Sequence, residues 1–169
     1  MDYSDGVKRS VTALGALLLF SMVRPLAAQE AIFIVRHAER VDASADSPLS
    51  PAGEARAARL AALLKDAGIT QIYTSDRQRT IQTAAPLAAA LHLTMAALKA
   101  DDQEALLQRL RTASAHDRVL VVGHSNTVPA LVAALGAGPP VTLGENDYDS
   151  LFLVVPQPGA AARLFRFRF

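Results

Sequence analysis

The chain has 169 residues, one domain's worth, and 51% of them are hydrophobic, enough apolar side chain for a sizeable core. It has no cysteine, which excludes a disulfide framework, a cysteine nucleophile and a zinc ribbon. The formal charge is +1, and beyond residue 28 fourteen basic residues face fourteen acidic ones. No global field therefore draws the domain to nucleic acid or to an anionic membrane, and any positive field is local, which favours a small anionic partner.

Residues 1–28 read as a signal peptide. Lys8 and Arg9 form a short basic region, and Val11–Val23 is apolar, uncharged and too short to span a bilayer comfortably. Ala27-Ala28 offers small residues for cleavage before Gln29, although Leu26 and Arg24 suit such a site poorly. An uncleaved N-terminal anchor is the alternative, and membrane attachment is expected only in that case. Either way the domain formed by residues 29–169 is expected to be periplasmic or secreted, which the lack of cysteine fits.

From residue 30 onward strands and helices alternate. Ala31–Val35 is a continuous apolar run, as a buried central strand would be. Ser50-Pro51 opens a helix as N-cap and first helical residue, running to about Ala67 and closed by Gly68. Ile69–Thr74 is a short strand, and Arg77–Leu91 a helix interrupted or bent near Pro86. Thr94–Leu98 is a weaker strand, and Asp101–Ala113 a helix with acids in its first turn and Arg109 and Arg111 in its last. Val119–Val122 is a buried strand, and Thr127–Leu135 a helix closed by Gly136. Leu151–Val155 is a strand, Pro156–Gly159 a turn, and Leu164–Phe169 alternates as an antiparallel edge strand with one wet face. The expected fold class is α/β: a three-layer α/β/α sandwich around a mostly parallel sheet with an antiparallel edge strand.

Three segments carry chemistry, and each follows an apolar strand. Arg36-His37-Ala38-Glu39-Arg40 sets an imidazole between guanidiniums, whose forks match phosphate geometry. Ser75-Asp-Arg77-Gln-Arg79-Thr80 opens a helix, where free N–H groups and the macrodipole favour anions. Arg77 and Arg79 are two apart, so on a helix only one easily faces the site. Gly123-His124-Ser125-Asn126 ends the third strand, with a glycine that lets the backbone come close to a ligand. One such histidine is more often a surface or core residue than a catalyst. Three sets at strand C-terminal ends converge on one sheet edge, where open α/β sheets bind ligands.

Arg36-His37-Ala38-Glu39, the Ser75…Arg79-Thr80…Thr83 segment and Gly123-His124-Ser125, with Leu49-Ser-Pro-Ala-Gly-Glu-Ala55 between, resemble the motifs of the histidine phosphatase superfamily, the phosphoglycerate-mutase-like fold. The resemblance runs from about residue 31 to 155 and is nearest to short bacterial members whose first motif reads Arg-His-Ala-Glu. It implies that His37 is the nucleophile and becomes a phosphohistidine, with Arg36, Arg79 and His124 holding the phosphoryl oxygens. Phosphoryl transfer needs in-line placement and neutralised oxygens, which these groups supply with no cofactor or metal. One nitrogen of His37 must be free to attack, so the other should donate to a fixed acceptor that the sequence does not reveal. Arg40 and Asn126 are candidate substrate-binding residues.

The proton donor is harder to place. Relatives with a clear donor carry a Glu after the third strand; here the region reads Leu98-Lys-Ala-Asp101-Asp102-Gln-Glu104. Asp102 is the candidate catalytic acid, Asp101 a candidate substrate contact and Glu104 an alternative, although acids at a helix start are often caps. Without a placed acid the enzyme would favour good leaving groups. Glu145, Asp147, Tyr148 and Asp149 either line the rim or bind nothing; His92 and His116 are read as surface residues. The leading reading is an exported, metal-independent phosphatase acting on a small phosphorylated substrate. The alternatives are a phosphohistidine or phosphoprotein phosphatase and a non-catalytic phosphate-ligand binding module. Oligomeric state is left open.

Overall fold

The computed structural model of the chain describes residues 30–169, so the expected signal peptide lies outside the described residues. In chain order the elements are β1 (Ala31–Arg36), α1 (Pro51–Leu64), β2 (Gln71–Ser75), α2 (Gln78–Leu91), β3 (Met95–Leu98), α3 (Gln103–Thr112), β4 (Arg118–Gly123), α4 (Thr127–Ala134), β5 (Ser150–Gln157) and β6 (Ala160–Arg168). The strands form one sheet in the order β3-β2-β4-β1-β5-β6. β3, β2, β4 and β1 pair in parallel, whereas β5 runs antiparallel to both β1 and β6. The antiparallel strand is thus β5, one in from the edge, and β6 forms the edge.

The sheet is covered on both faces, because its strands are apolar on both sides. Leu60 and Leu64 of α1 and Leu87 of α2 pack with Ile72, Leu120 and Val122 on one face. Leu107 and Leu110 of α3 and Val128 and Leu131 of α4 pack with Ile32, Ile34, Val121 and Phe152 on the other. The three-layer sandwich follows from this alternation. Neighbouring β1 and β4 send their following helices to opposite faces, and that divergence opens a crevice at their C-terminal ends.

Local chemistry sets the boundaries. Ser50 caps α1 by accepting from the Gly53 N–H at 3.2 Å, with Pro51 at the first helical position. α1 ends at Leu64, before Ala67, and the left-handed Gly68 (φ 70°) completes the turn. α2 runs unbroken through Pro86, preceded by Ala84-Ala85 and followed by Leu87-Ala88, strong helix formers that keep both sides helical, and ends at His92 in the left-handed conformation (φ 54°). β5 extends through Pro156 to Gln157, where the register with β6 shifts, leaving a two-residue turn at Pro158-Gly159. β6 begins four residues earlier than expected. Its single wet face is not observed: Arg166 lies over the Phe152 ring at 5.3 Å, while Phe165 and Phe167 on the opposite face are exposed.

Candidate active site

β1 and β4 pair with Arg36 opposite Gly123, and the His37 N–H donates to the Gly123 carbonyl at 2.8 Å. This register brings the two histidines together, their ring centroids 5.3 Å apart at 62°. The Nδ1 of His37 lies 2.8 Å from its neighbour's carbonyl at Ala38, an acceptor only, so Nδ1 carries the proton and Nε2 is left bare. This is the fixed acceptor that a nucleophilic imidazole needs. Burial, together with the nearby His124, Arg79 and Arg36, pushes the His37 pKa down to about 3, against a partial upward effect of the Ala38 bond. The ring is therefore neutral across the physiological range.

His124 is held from two sides. Its Nε2 is 2.9 Å from the Ser75 hydroxyl, which in turn is 2.8 Å from the Thr80 hydroxyl. Its Nδ1 lies 3.4 Å from the Nη2 of Arg79, a donor only. Nδ1 thus accepts and Nε2–H donates into the hydroxyl pair. Burial and the cations Arg79, Arg77 and Arg36 lower its pKa to about 4. Thr83 ties α2 to the nucleophile loop by accepting from the Ala38 N–H at 2.9 Å and donating to the Arg79 carbonyl at 2.7 Å.

Arg36 is fixed through one nitrogen, and Arg79 through Nη1 in addition to the Nη2 contact with His124. Arg36 Nη1 donates to the Gly144 and Glu145 carbonyls at 2.9 and 2.7 Å, and its guanidinium stacks on Tyr148 at 4.2 Å. Arg79 Nη1 donates to the Ala45 carbonyl at 2.9 Å. Nε of both Arg36 and Arg79 is buried without a partner. Buried unpaired donors are costly, and two of them beside a bare imidazole nitrogen are what an incoming oxyanion would satisfy. Desolvation followed by mutual repulsion among Arg36, Arg40, Arg77 and Arg79 lowers the Arg79 pKa, with Asp46 opposing the trend.

These groups open into a cavity of about 670 Å³ whose lining also includes Arg40, Lys99, Asp101 and Asn126. Arg77 lines it as well as Arg79, contrary to the helical-spacing expectation. Arg77 precedes the helix, with extended backbone angles of −90° and 138°, so helical spacing does not govern it. Asp102 is not where a proton donor is needed. Its carboxylate accepts from the Ala105 N–H at 2.9 Å as the N-cap of α3, and it lines a small adjoining cleft of about 40 Å³ beneath that helix rather than the main cavity. Glu104 is likewise turned outward, paired with Arg111 at 3.2 Å. Among the described residues no three His, Asp or Glu side chains gather as a metal-binding group.

Four positioning residues were not given roles by the sequence. Ser75, Thr80 and Thr83 stood in the quoted motif without a function. Tyr148 was noted only for its acidic neighbours; its aromatic ring just before a buried strand was the available signal. Asp147 supports the same loop, accepting from the Gly144 N–H at 2.9 Å while lying 4.0 Å from Arg166 and 3.9 Å from Arg168.

A family model described as histidine phosphatase superfamily (branch 1) matches residues 32–103. A Proteus mirabilis protein described as "Probable phosphoglycerate mutase GpmB" is 41% identical over 66 residues, which are 35% of this chain and 31% of that protein. A Yersinia enterocolitica protein of the same description is 41% identical over 69 residues, 37% of this chain and 32% of its own length. The matched stretch thus spans less than a third of these curated relatives. Among solved structures, the protein histidine phosphatase SixA complexed with tungstate superposes with a TM-score of 0.64 at 25% identity, over 82% of this chain and 96% of that one. A mycobacterial glucosyl-3-phosphoglycerate phosphatase with inorganic phosphate superposes at 0.65 and 17% identity, over 83% and 96%, a likeness of fold.

Proposed function

The chain belongs to the histidine phosphatase superfamily, and on that premise we propose that it is a metal-independent phosphatase that hydrolyses a phosphomonoester through a phosphohistidine at His37. The observation that carries the reading is the bare Nε2 of His37, whose ring is fixed by the Ala38 carbonyl, in a cavity shared with Arg36 and Arg79, each of which has a buried, unpaired Nε–H. Arg36 and Arg79 would hold the nonbridging oxygens, with Arg40 and Asn126 at the edge of the phosphoryl group; His124, whose Nε2–H is given to Ser75, would steady Arg79 by accepting at Nδ1 rather than hold the oxygens itself. His37 Nε2 then attacks phosphorus in line, the ester oxygen departs, and water releases phosphate from His37 in a second step. Preorganised donors around the developing charge supply most of the rate.

Asp101 is the only carboxylate of the Asp101–Glu104 region that lines the cavity. It is exposed rather than held over the nucleophile, so a leaving group that needs little protonation fits best. The same feature supports a second reading, hydrolysis of a phosphohistidine: an imidazole leaves more readily than an alkoxide, and the likeness to the protein histidine phosphatase SixA covers 96% of that chain. The non-catalytic binding module is the weaker alternative, because the nucleophile and its surrounding cations are all in place.

Hydrolysis of para-nitrophenyl phosphate with EDTA present, beside His37→Ala, tests the proposal. Turnover that survives EDTA and vanishes in the variant is expected. Its absence with this aryl leaving group would sink the phosphatase reading. Export rests on the sequence of residues 1–28, and the intact mass of the protein recovered from the periplasm should correspond to a chain starting at Gln29.

A further inference from the structure

The His37 ring keeps Nε2 bare only while the Ala38 carbonyl stays within reach of Nδ1–H. In a neutral imidazole either nitrogen can carry the proton, and the partner of one decides the state of the other. Whatever holds that carbonyl in place is therefore part of the site. Ala38 is tied to α2 by its N–H bond to Thr83. The peptide that carries its carbonyl runs on into Glu39, which is tied to α1 twice. The Glu39 carbonyl accepts from the Ser50 N–H at 2.9 Å. The Glu39 carboxylate accepts from Arg56, with Nε at 3.0 and 2.9 Å from its two oxygens and Nη2 at 2.7 Å from one of them.

All three guanidinium nitrogens of Arg56 are engaged. Nη1 donates to the Phe169 carbonyl at 2.9 Å, and the guanidinium lies over the Phe169 ring at 5.9 Å. The Phe169 N–H donates in turn to the Asp149 carbonyl at 3.0 Å. Asp149 follows Tyr148, whose ring stacks on Arg36. Contacts thus run from Glu39 through Arg56 and Phe169 to the loop that holds Arg36, and their two ends flank His37 in the chain. The Arg56 and Glu39 side chains are 17% and 24% exposed, so the pair is shielded from the solvent that weakens a surface pair. Neither residue lines the cavity, so the pair acts on chemistry only through what it holds.

We propose that Arg56 is a positioning residue for the nucleophile: by gripping Glu39 it holds the Ala38 carbonyl against Nδ1–H of His37 and so keeps Nε2 free to attack. The inference rests on the phosphatase reading, in which Nε2 is the reacting atom. Without Arg56 the Glu39 end of the peptide can turn, the carbonyl leaves Nδ1, and the proton is shared between the two ring nitrogens. An Nε2 that carries the proton has no lone pair for phosphorus. Arg36 and Arg79 keep their own hydrogen bonds to Gly144, Glu145 and Ala45, so phosphate binding should change less than turnover.

Arg56→Gln, Glu39→Gln and the double variant of the full-length protein test it. Side-chain nitrogen NMR near neutral pH reads the His37 tautomer, its resonances identified by their loss in His37→Ala. The parent protein should show a protonated Nδ1 and a bare Nε2, and each variant a mixture of tautomers. In each variant kcat for para-nitrophenyl phosphate should fall about 10- to 100-fold, the scale of a misplaced reacting group, with KM within about twofold. The double variant should be no worse than either single one, because all three break the same pair. Glu39→Gln is nearly isosteric and reads the same contact should Arg56→Gln fail to fold. Arg118→Gln breaks the pair with Glu30 at the far end of β4; it controls for lost stability alone and should leave tautomer and kcat unchanged. A single tautomer retained in both variants, or losses in kcat that add in the double variant, would overturn the proposal. If the parent hydrolyses no ester while the variants still mix the tautomers, the phosphatase reading fails and the positioning role stands.

Discussion

The wall of the cavity formed after β1 and β4 is buried and fastened at many points, whereas the wall formed after β2 and β3 opens to solvent. Arg36, His37 and His124 are 6%, 4% and 9% exposed, and each is fixed by a hydrogen bond to backbone or to another buried side chain. Lys99 and Asp101 are exposed, and the carboxylate beside them is spent on capping α3. The phosphoryl end of the reaction is thus preorganised in a water-poor site, where fixed dipoles and charges act most strongly. The leaving-group end is open, and its chemistry depends on what the substrate brings.

Substitutions on the two walls should therefore differ in kind. Arg36→Ala on the buried wall removes a preorganised charge and should lower kcat/KM for an aryl phosphate by about 10²–10³. Asp101→Asn on the open wall should cost less than about tenfold with the same ester, well short of the 10²–10⁴ of a working general acid. Steady-state kinetics on the pair separates them, and a larger loss in Asp101→Asn would reverse the comparison.

Acid should also strain the buried wall. An unfolded histidine takes up its proton below about pH 6.5, whereas His37 and His124 in the fold resist until about 3 and about 4. Between these values the unfolded chain binds more protons than the folded one, so stability falls as pH falls. The loss is about 1.4 kcal/mol per pH unit for each histidine and stops growing below each folded pKa. Urea unfolding from pH 7 to about pH 5 measures it. His124→Asn should remove about half of the histidine part of the slope, and an unchanged slope would contradict the neutral buried pair.

The support beneath the nucleophile is steric. A Cβ on Gly53 would lie 2.1 Å from the Glu39 carbonyl oxygen, so α1 approaches the loop after His37 as closely as backbone allows. Gly53→Ala must push that loop away, and should cost about 1–3 kcal/mol of stability together with activity. On the open wall Asp102→Ala removes only a cap: about 1 kcal/mol of stability, with little change in aryl phosphate turnover. Thermal melts and kinetics on both variants show whether stability and activity fall together on one wall and separately on the other.

Much of the buried wall was legible in the sequence, because apolar runs ending in Arg36-His37 and Gly123-His124 announce strands that deliver side chains to one sheet edge. The cap at Ser50-Pro51 and the glycine turns after α1 and α4 were legible for the same local reasons. The open wall was less so. Asp101 and Asp102 are adjacent and chemically identical, and only the start of α3 decides which one caps and which one lines the cavity. Tyr148 and the carbonyls of Gly144 and Glu145 lie more than a hundred residues from Arg36, and no local pattern records that contact. The start of β6 was hidden because Ala160–Ala162 carries no strand signature.

The central claim is that His37 Nε2 takes the phosphoryl group. Rapid mixing of the full-length protein with para-nitrophenyl phosphate, quenching in alkali and mapping the peptides by mass spectrometry tests it directly. A burst of nitrophenol should accompany an alkali-stable, acid-labile phosphoryl group on the peptide containing His37. Steady turnover with no phosphorylated peptide, or with the label on another residue, would contradict the account.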